Sequence, residues 1–126
     1  MEIVHRLDEI RALTTPWKLG GERICVVPTM GALHQGHLSL VDVALAQANR
    51  VVAGIFVNPK QFDNPDDLAN YPSHFDEDAQ MLAAAGVDAL YAPTPDQVYP
   101  EGFSSIVSVS GVSEGLCGAG RPGHFD

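Results

Sequence analysis

The sequence predicts an α/β fold in which a parallel sheet carries helices on both faces. Three short segments rich in β-branched residues alternate with segments whose apolar residues recur at helical spacing. Such alternation is typical of right-handed strand–helix–strand units, and these units build parallel sheets. The strand segments are almost continuously apolar, as expected of strands buried on both faces. Because ligands of such sheets bind beyond the carboxyl ends of the strands, the polar loops that follow the strands are the candidate functional regions.

Periodicity and composition predict six elements in chain order: a helix over 6–14, a strand over 23–28, a helix over 38–50, a strand over 51–57, a helix over 75–85 and a strand over 88–93. In the first helix, Leu7, Ile10 and Leu13 share one face. The strand segments RICVVP and VVAGIFV are short and β-branched, and the helix between them places Val41 and Leu45 on its apolar face.

The second half of the chain contains more turn residues. Its helix is expected to bury Leu82 and to stop at Gly86, a residue suited to a helix C-terminus. The segment SSIVSVS over 104–110 alternates between apolar and polar residues, which predicts an edge strand or a hairpin arm. The last segment, GLCGAGRPGHFD, is loop-like.

Composition restricts the classes of partner. Seven Lys and Arg residues face sixteen Asp and Glu residues, a net charge of −9 that argues against nucleic acid as the main partner. For the same reason, a nucleotide ligand would be expected to bring a divalent cation. No signal-peptide pattern is visible, and no apolar run approaches the ~20 residues that span a bilayer. Cys25 and Cys117 lack CxxC partners, which fits a reducing, cytoplasmic setting.

The loop after the first strand, within VVPTMGALHQGHLSLV, is the strongest candidate site. Gly31 and Gly36 have the spacing of a phosphate-binding loop, but His37 and Leu38 stand where Lys and Ser or Thr are expected. The helix that follows offers unpaired N–H groups and a positive dipole end to an anion. His34 and His37 would lie there, and either charge state of an imidazole can stabilise charge that develops on a phosphate.

Two different roles for the histidine pair stay open. Both imidazoles could serve only to hydrogen-bond the loop. A metal site would require a third ligand, and the downstream carboxylates have no recognisable ligand spacing, so no metal site is predicted.

The H-x-G-H pattern after a buried strand resembles the nucleotidyltransferase superfamily, whose members attack the α-phosphate of ATP. Four motifs in order, VPTMGALHQGHLSLV, IFVNPKQFDNPDDLANYP, YAPTPDQVYPEGF and GAGRPGHF, resemble the pantoate–β-alanine ligase family over essentially the whole chain. This resemblance implies a Rossmann-like, nucleotide-binding domain over residues 1–126 that is incomplete at its C-terminal end. It also implies ATP-dependent condensation of pantoate with β-alanine through a pantoyl adenylate, with release of pyrophosphate and AMP.

The resemblance assigns roles to individual residues. The residues that match the family's ATP-binding loop are consecutive: Met30, Gly31, Ala32, Leu33, His34, Gln35, Gly36 and His37. His37 matches the proton donor, and His34 matches its partner on the phosphates. Gln61 matches the residue that holds pantoate beside the β-alanine position. ATP with Mg²⁺ is the implied cosubstrate, and a cytoplasmic homodimer is the implied state of the full-length protein.

Physical chemistry supports Gln61 independently. An amide both donates and accepts hydrogen bonds, so it can hold the hydroxyls and the carboxylate of pantoate without adding charge. Lys60 is expected to be solvated, and the DNPDD segment at 63–67 is expected to form turns and helix caps. Arg121 either faces the triphosphate or belongs to a Pro-Gly turn.

Two alternatives to this function stay open. One is a related adenylyltransferase acting on a phosphopantetheine or a nicotinate nucleotide, and the other is a non-catalytic module that binds pantoate or ATP. The family pattern continues beyond R-P-G-H-F into a Lys-Asp segment, a second pantoate glutamine and a Ser-Ser-Arg-Asn loop on a C-terminal domain, none of which occurs in these 126 residues. We therefore expect the chain alone to be inactive or nearly so, with one sheet edge unpaired and open to self-association.

Overall fold

The computed structural model describes all residues from Met1 to Asp126 and confirms the α/β class. The strands are Glu2–Val4 (β1), Ile24–Thr29 (β2), Arg50–Ile55 (β3) and Ala89–Tyr91 (β4). The helices are Leu7–Leu19 (α1), Gln35–Gln47 (α2), Pro65–Ala69 (α3), Phe75–Ala85 (α4), Pro95–Val98 (α5) and Cys117–Gly120 (α6), and Pro59–Gln61 forms one 3₁₀ turn.

The four strands form one parallel sheet in the order β1-β4-β3-β2. The chain moves from β2 to β3 to β4 in one direction across the sheet, but from β1 to β2 in the opposite direction. Right-handed crossovers therefore place α1 on the face opposite to α2 and α4. The loops after β2 and after β3 begin side by side at the carboxyl ends of the strands, because Thr29 lies beside Ile55 in register.

The core has two parts, one on each face of the sheet. Val51 and Ala53 of β3 pack with Val41 of α2 and Leu82 of α4, and all four are almost completely buried. Val52 faces the other way and packs under α1. This alternation along a single strand explains why its sequence is continuously apolar.

The helix predictions are confirmed with shifted ends. The predicted bounds of α4 agree with the structure, and Gly86 ends it with a left-handed φ of 97°. Helix α1 continues past 14 and through Pro16, because Trp17 packs against the core and against the guanidinium of Arg50. Helix α2 begins at 35, three residues earlier than predicted, and it buries Val41 and Ala44.

One strand prediction is wrong, and one strand was not predicted. Residues 104–110 form no strand: the segment is exposed and pairs with neither edge of the sheet. Alternation alone therefore produced a wrong prediction, because a strand also requires a partner. Conversely, β1 was not predicted, since three residues carry no readable period and only the pairing with β4 defines it. None of the helices combines the length and the apolar composition that a membrane-spanning helix needs.

Candidate functional site

The two imidazoles of the H-x-G-H motif cap the N-terminus of α2. Nδ1 of His34 accepts a hydrogen bond from the backbone N–H of Gly36 at 3.0 Å. Nδ1 of His37 accepts one from the backbone N–H of His34 at 3.2 Å. The two rings lie 4.1 Å apart between centroids. The structure thus shows the loop hydrogen bonds of the first alternative, and a contact of either imidazole with a ligand stays a prediction. Helix α2 starts earlier because its first N–H groups are satisfied by side chains.

This capping selects the tautomer of each histidine. Because Nδ1 accepts in both rings, the neutral form of each carries its proton on Nε2. Protonation of Nδ1 would set two donors against each other and break the cap. Each imidazole therefore keeps an Nε2–H available for a ligand at the positive end of α2.

The pKa of His37 is lowered from 6.5 by burial and by the neighbouring His34, while the carboxylate of Asp78 raises it in part. The first two causes are larger, so His37 is neutral at pH 7 without a ligand. It would then donate a hydrogen bond rather than supply a positive charge.

Gly36 is required by the position of the His34 ring. A Cβ atom at position 36 would lie 2.8 Å from Cε1 and 3.0 Å from Nδ1 of His34. Since carbon atoms in contact are normally about 3.5–4.0 Å apart, any side chain here would displace the imidazole. The glycine of H-x-G-H therefore allows the ring to fold over the first turn of α2.

The loop between β2 and α2 has an unusual backbone. Gly31 and Ala32 have positive φ values of 80° and 52°. The N–H groups of Ala32 and Leu33 donate to the two carboxylate oxygens of Asp78, at 2.8 and 2.9 Å. Asp78 is not among the residues predicted from the sequence. The available signal was a carboxylate four residues before Leu82, on the same face of a helix predicted to be amphipathic.

The loop after β3 forms the 3₁₀ turn Pro59–Gln61. Asn58 caps it: Oδ1 accepts from the backbone N–H of Lys60 at 3.1 Å and from the hydroxyl of Tyr99 at 2.7 Å. Lys60 is exposed, as predicted, and its Nζ lies 5.6 Å from the ring centroids of both Tyr99 and Phe103. Oδ1 of Asn64 caps α3 by accepting a hydrogen bond from the backbone N–H of Asp66 at 2.9 Å, which confirms the predicted capping role of this segment.

Gln61 is half-buried and borders a cavity of about 390 Å³ at the carboxyl edge of the sheet. Met30, Arg121 and His124 also line it. Nδ1 of His124 lies 3.3 Å from the carbonyl oxygen of Gln61 and ties the last residues to this loop. The sequence left the role of Arg121 open between the triphosphate and a Pro-Gly turn and assigned none to His124. Nothing local indicated that the tail returns to the second loop.

The structure brings together only part of the predicted set. Met30 and Gln61 share the cavity, whereas His34 and His37 lie at the end of α2 and are not among its lining residues. Their convergence with Gln61 on one cleft stays a prediction.

No group of three His, Cys, Asp or Glu side chains is arranged to hold a metal ion. Another depression, of about 730 Å³, lies along α1, and none of the site residues predicted from the sequence lines it.

Comparison with known proteins agrees with the sequence resemblance. The family model described as pantoate-beta-alanine ligase matches residues 2–126. The pantothenate synthetase of Ruegeria pomeroyi is 61% identical over 124 residues, which are 98% of this chain and 44% of that protein. That of Chelativorans sp. is 60% identical with the same coverage. The chain thus spans less than half the length of these curated relatives.

Solved structures give the same result. The pantothenate synthetase of Thermus thermophilus is 44% identical, with a TM-score of 0.89 over 99% of this chain and 44% of that one. The pantoate-beta-alanine ligase of Francisella tularensis, complexed with beta-gamma ATP and beta-alanine, is 37% identical. Its TM-score is 0.94 over 99% of this chain and 48% of that one. The chain therefore belongs to the pantoate–beta-alanine ligase family.

Proposed function

We propose that this chain supplies the ATP loop and the pantoate site for ATP-dependent condensation of pantoate with β-alanine. The observation that supports this most directly is the double imidazole cap of α2, which leaves two Nε2–H donors at a helix N-terminus. Residues 1–126 would form the N-terminal nucleotide-binding domain, of Rossmann-like type. The family's ligase activity makes this assignment specific.

The first step forms an acyl phosphate. A carboxylate oxygen of pantoate attacks the α-phosphorus of ATP, the new O–P bond forms, and the bond to pyrophosphate breaks. We assign His37 and His34 to the phosphate oxygens as neutral Nε2–H hydrogen-bond donors, with the Nε2–H of His37 bonded to the leaving pyrophosphate and not transferred to it. Donors fixed before the reaction stabilise the developing charge without reorganisation.

The second step forms the amide. The β-alanine amine attacks the acyl carbon of pantoyl adenylate, the C–N bond forms, the C–O bond breaks, AMP leaves and the nitrogen loses a proton. Gln61 would hold pantoate at the cavity it shares with Met30, beside the β-alanine position. Holding both reactants in place is itself a large contribution to rate.

We assign Mg²⁺ to the nucleotide, which it would accompany as MgATP. Arg121 is the single Lys or Arg lining the cavity that contains Gln61, so the side chains there offer little positive charge besides Mg²⁺ to stabilise the departing pyrophosphate. We therefore expect the 126-residue chain to bind its substrates with little or no turnover. Turnover close to that of a full-length relative would contradict this, whereas binding without turnover is also what a non-catalytic module would show.

We further propose a cytoplasmic homodimer as the full-length state. The two free cysteines fit a reducing compartment. Exposed apolar side chains on β2 and α2, among them Val26, Leu40 and Val43 at 61%, 56% and 55% exposure, fit a buried interface in the assembly.

Titration with pantoate tests the second loop. Gln61→Ala is expected to weaken binding about tenfold, because a hydrogen bond to a charged group contributes about 1.5–3 kcal/mol. Gln80→Ala is the matched control, since Gln80 is an exposed amide on α4. Equal affinities for wild type and Gln61→Ala would remove Gln61 from the pantoate site.

A further inference from the structure

Asp78 is the one buried charged side chain of the core, with 1% of its surface exposed. It lies in the first turns of α4, and none of the ion pairs of the structure includes it. A buried carboxylate without a cation is costly unless hydrogen bonds replace its hydration. The two N–H groups of Ala32 and Leu33 provide that replacement, and the N-terminal end of α4 adds favourable dipole charge.

The same two bonds fix a backbone that would otherwise be unfavourable. Ala32 has φ of 52°, a region that residues other than glycine adopt at a cost. Gly31 packs tightly here: an added Cβ would lie 3.3 Å from Oδ2 of Asp78 and 3.3 Å from Cγ2 of Ile55. The loop conformation thus depends on a side chain 45 and 46 residues distant in sequence.

The loop leads directly into the histidine cap. Leu33 is buried in the core, and the next residue is His34, whose backbone N–H donates to His37. Any shift of residues 31–33 would therefore move both imidazoles. Burial and the charge of His34 lower the pKa of His37, and the carboxylate of Asp78 opposes them with a smaller effect that raises it.

We propose that Asp78 is a positioning residue that holds the loop over residues 31–33 through two backbone N–H groups and thereby fixes the His34–His37 pair. Its importance for nucleotide binding rests on the function proposed above, whereas its control of the loop does not. Asp78 acts through the loop, since both of its carboxylate oxygens accept backbone N–H groups of that loop.

Amide hydrogen exchange and histidine titration by NMR test this without any ligand. In the wild type, the amides of Ala32 and Leu33 are expected to exchange slowly although they lie in a loop. In Asp78→Asn, the side-chain NH₂ replaces one of the two accepting oxygens and faces a backbone N–H donor. The exchange of these amides should therefore accelerate about tenfold or more relative to the core amide of Val41. The pKa of His37 should fall below its wild-type value, since a favourable negative charge has been removed.

Asp88→Asn is the matched control. The carboxylate of Asp88 accepts the backbone N–H of Val51 at 2.8 Å and lies 3.3 Å from Arg50, at the N-terminal end of β3. Its loss should reduce global stability but leave the exchange of the loop amides relative to Val41, and the titration of His37, unchanged. Similar effects of the two variants would overturn a specific role of Asp78.

Two further outcomes decide the remaining cases. Should Asp78→Asn fail to fold, rapid exchange of Ala32 and Leu33 in the wild type would still overturn the proposal, and slow exchange would support it. Absence of MgATP binding by the wild type would contradict the proposed function while leaving the loop result intact. Unchanged exchange and an unchanged His37 pKa in a folded Asp78→Asn would refute the positioning role, whatever the wild type binds.

Discussion

Gly36→Ala should separate the stability of the domain from its affinity for nucleotide. The new Cβ would lie 2.8 Å from Cε1 of His34, so the imidazole must rotate away and release the N–H of Gly36. Loss of an N-cap bond costs about 1 kcal/mol. Replacing a glycine by alanine within a helix returns about 0.5–1 kcal/mol. The free energy of unfolding should therefore change by less than about 1 kcal/mol.

The affinity for MgATP should fall much further. A displaced His34 would lose the hydrogen bond to a charged phosphate that we propose above, and such a bond contributes about 1.5–3 kcal/mol, or roughly 10- to 150-fold in dissociation constant. Urea denaturation measures the stability and titration calorimetry measures the affinity. Gly115→Ala is the control, because no atom lies within 4 Å of its added Cβ. Wild-type affinity in Gly36→Ala, with the His34 ring resonances unshifted, would refute the argument.

Three other predictions follow from the fold. The pKa of His37 is lowered from 6.5 in the folded chain, so at a pH between the folded and unfolded pKa values the unfolded chain binds more protons. The contribution of His37 to stability is therefore complete above pH 6.5 and is lost as the pH falls through the folded pKa. The melting temperature should depend less on pH in His37→Gln than in the wild type, and an equal pH dependence in both would contradict this. Leu82→Ala should cost about 2–5 kcal/mol, since Leu82 is 1% exposed, whereas Leu19→Ala, at 84% exposure, should change urea stability by less than about 0.5 kcal/mol. Val26→Lys on the unpaired edge strand β2 should reduce any self-association measured by sedimentation, and an unchanged distribution of species would exclude this edge as the contact.

Local sequence patterns were sufficient for most of the elements. The bounds of α4 followed from apolar periodicity and from Gly86, whose left-handed φ ends the helix. The local composition of residues 63–67 predicted turns and helix caps, and Asn64 caps α3. Such features depend on hydrogen bonds between residues about two to four positions apart, so the residues that decide them are adjacent in the sequence.

The site was predictable to the same extent. The H-x-G-H motif indicated imidazoles at a helix N-terminus, and the cap of α2 has this arrangement. The mutual bonding of the two rings and the tautomer that it selects became visible only in the structure. Whether these imidazoles and Gln61 act on one substrate pair is decided by the binding experiments above.

Local patterns in the sequence were enough for the alternation of strands and helices, the place of the H-x-G-H motif at a helix N-terminus and the family. Tertiary structure alone decided that β1 pairs with β4, that Asp78 holds a loop 46 residues earlier, and that His124 returns to a turn 63 residues away. The physical reason is the separation in sequence between the residues that interact. Periodicity and capping arise from neighbours along the chain. A buried carboxylate such as that of Asp78 can accept its hydrogen bonds only after α2 and α4 have packed on the sheet.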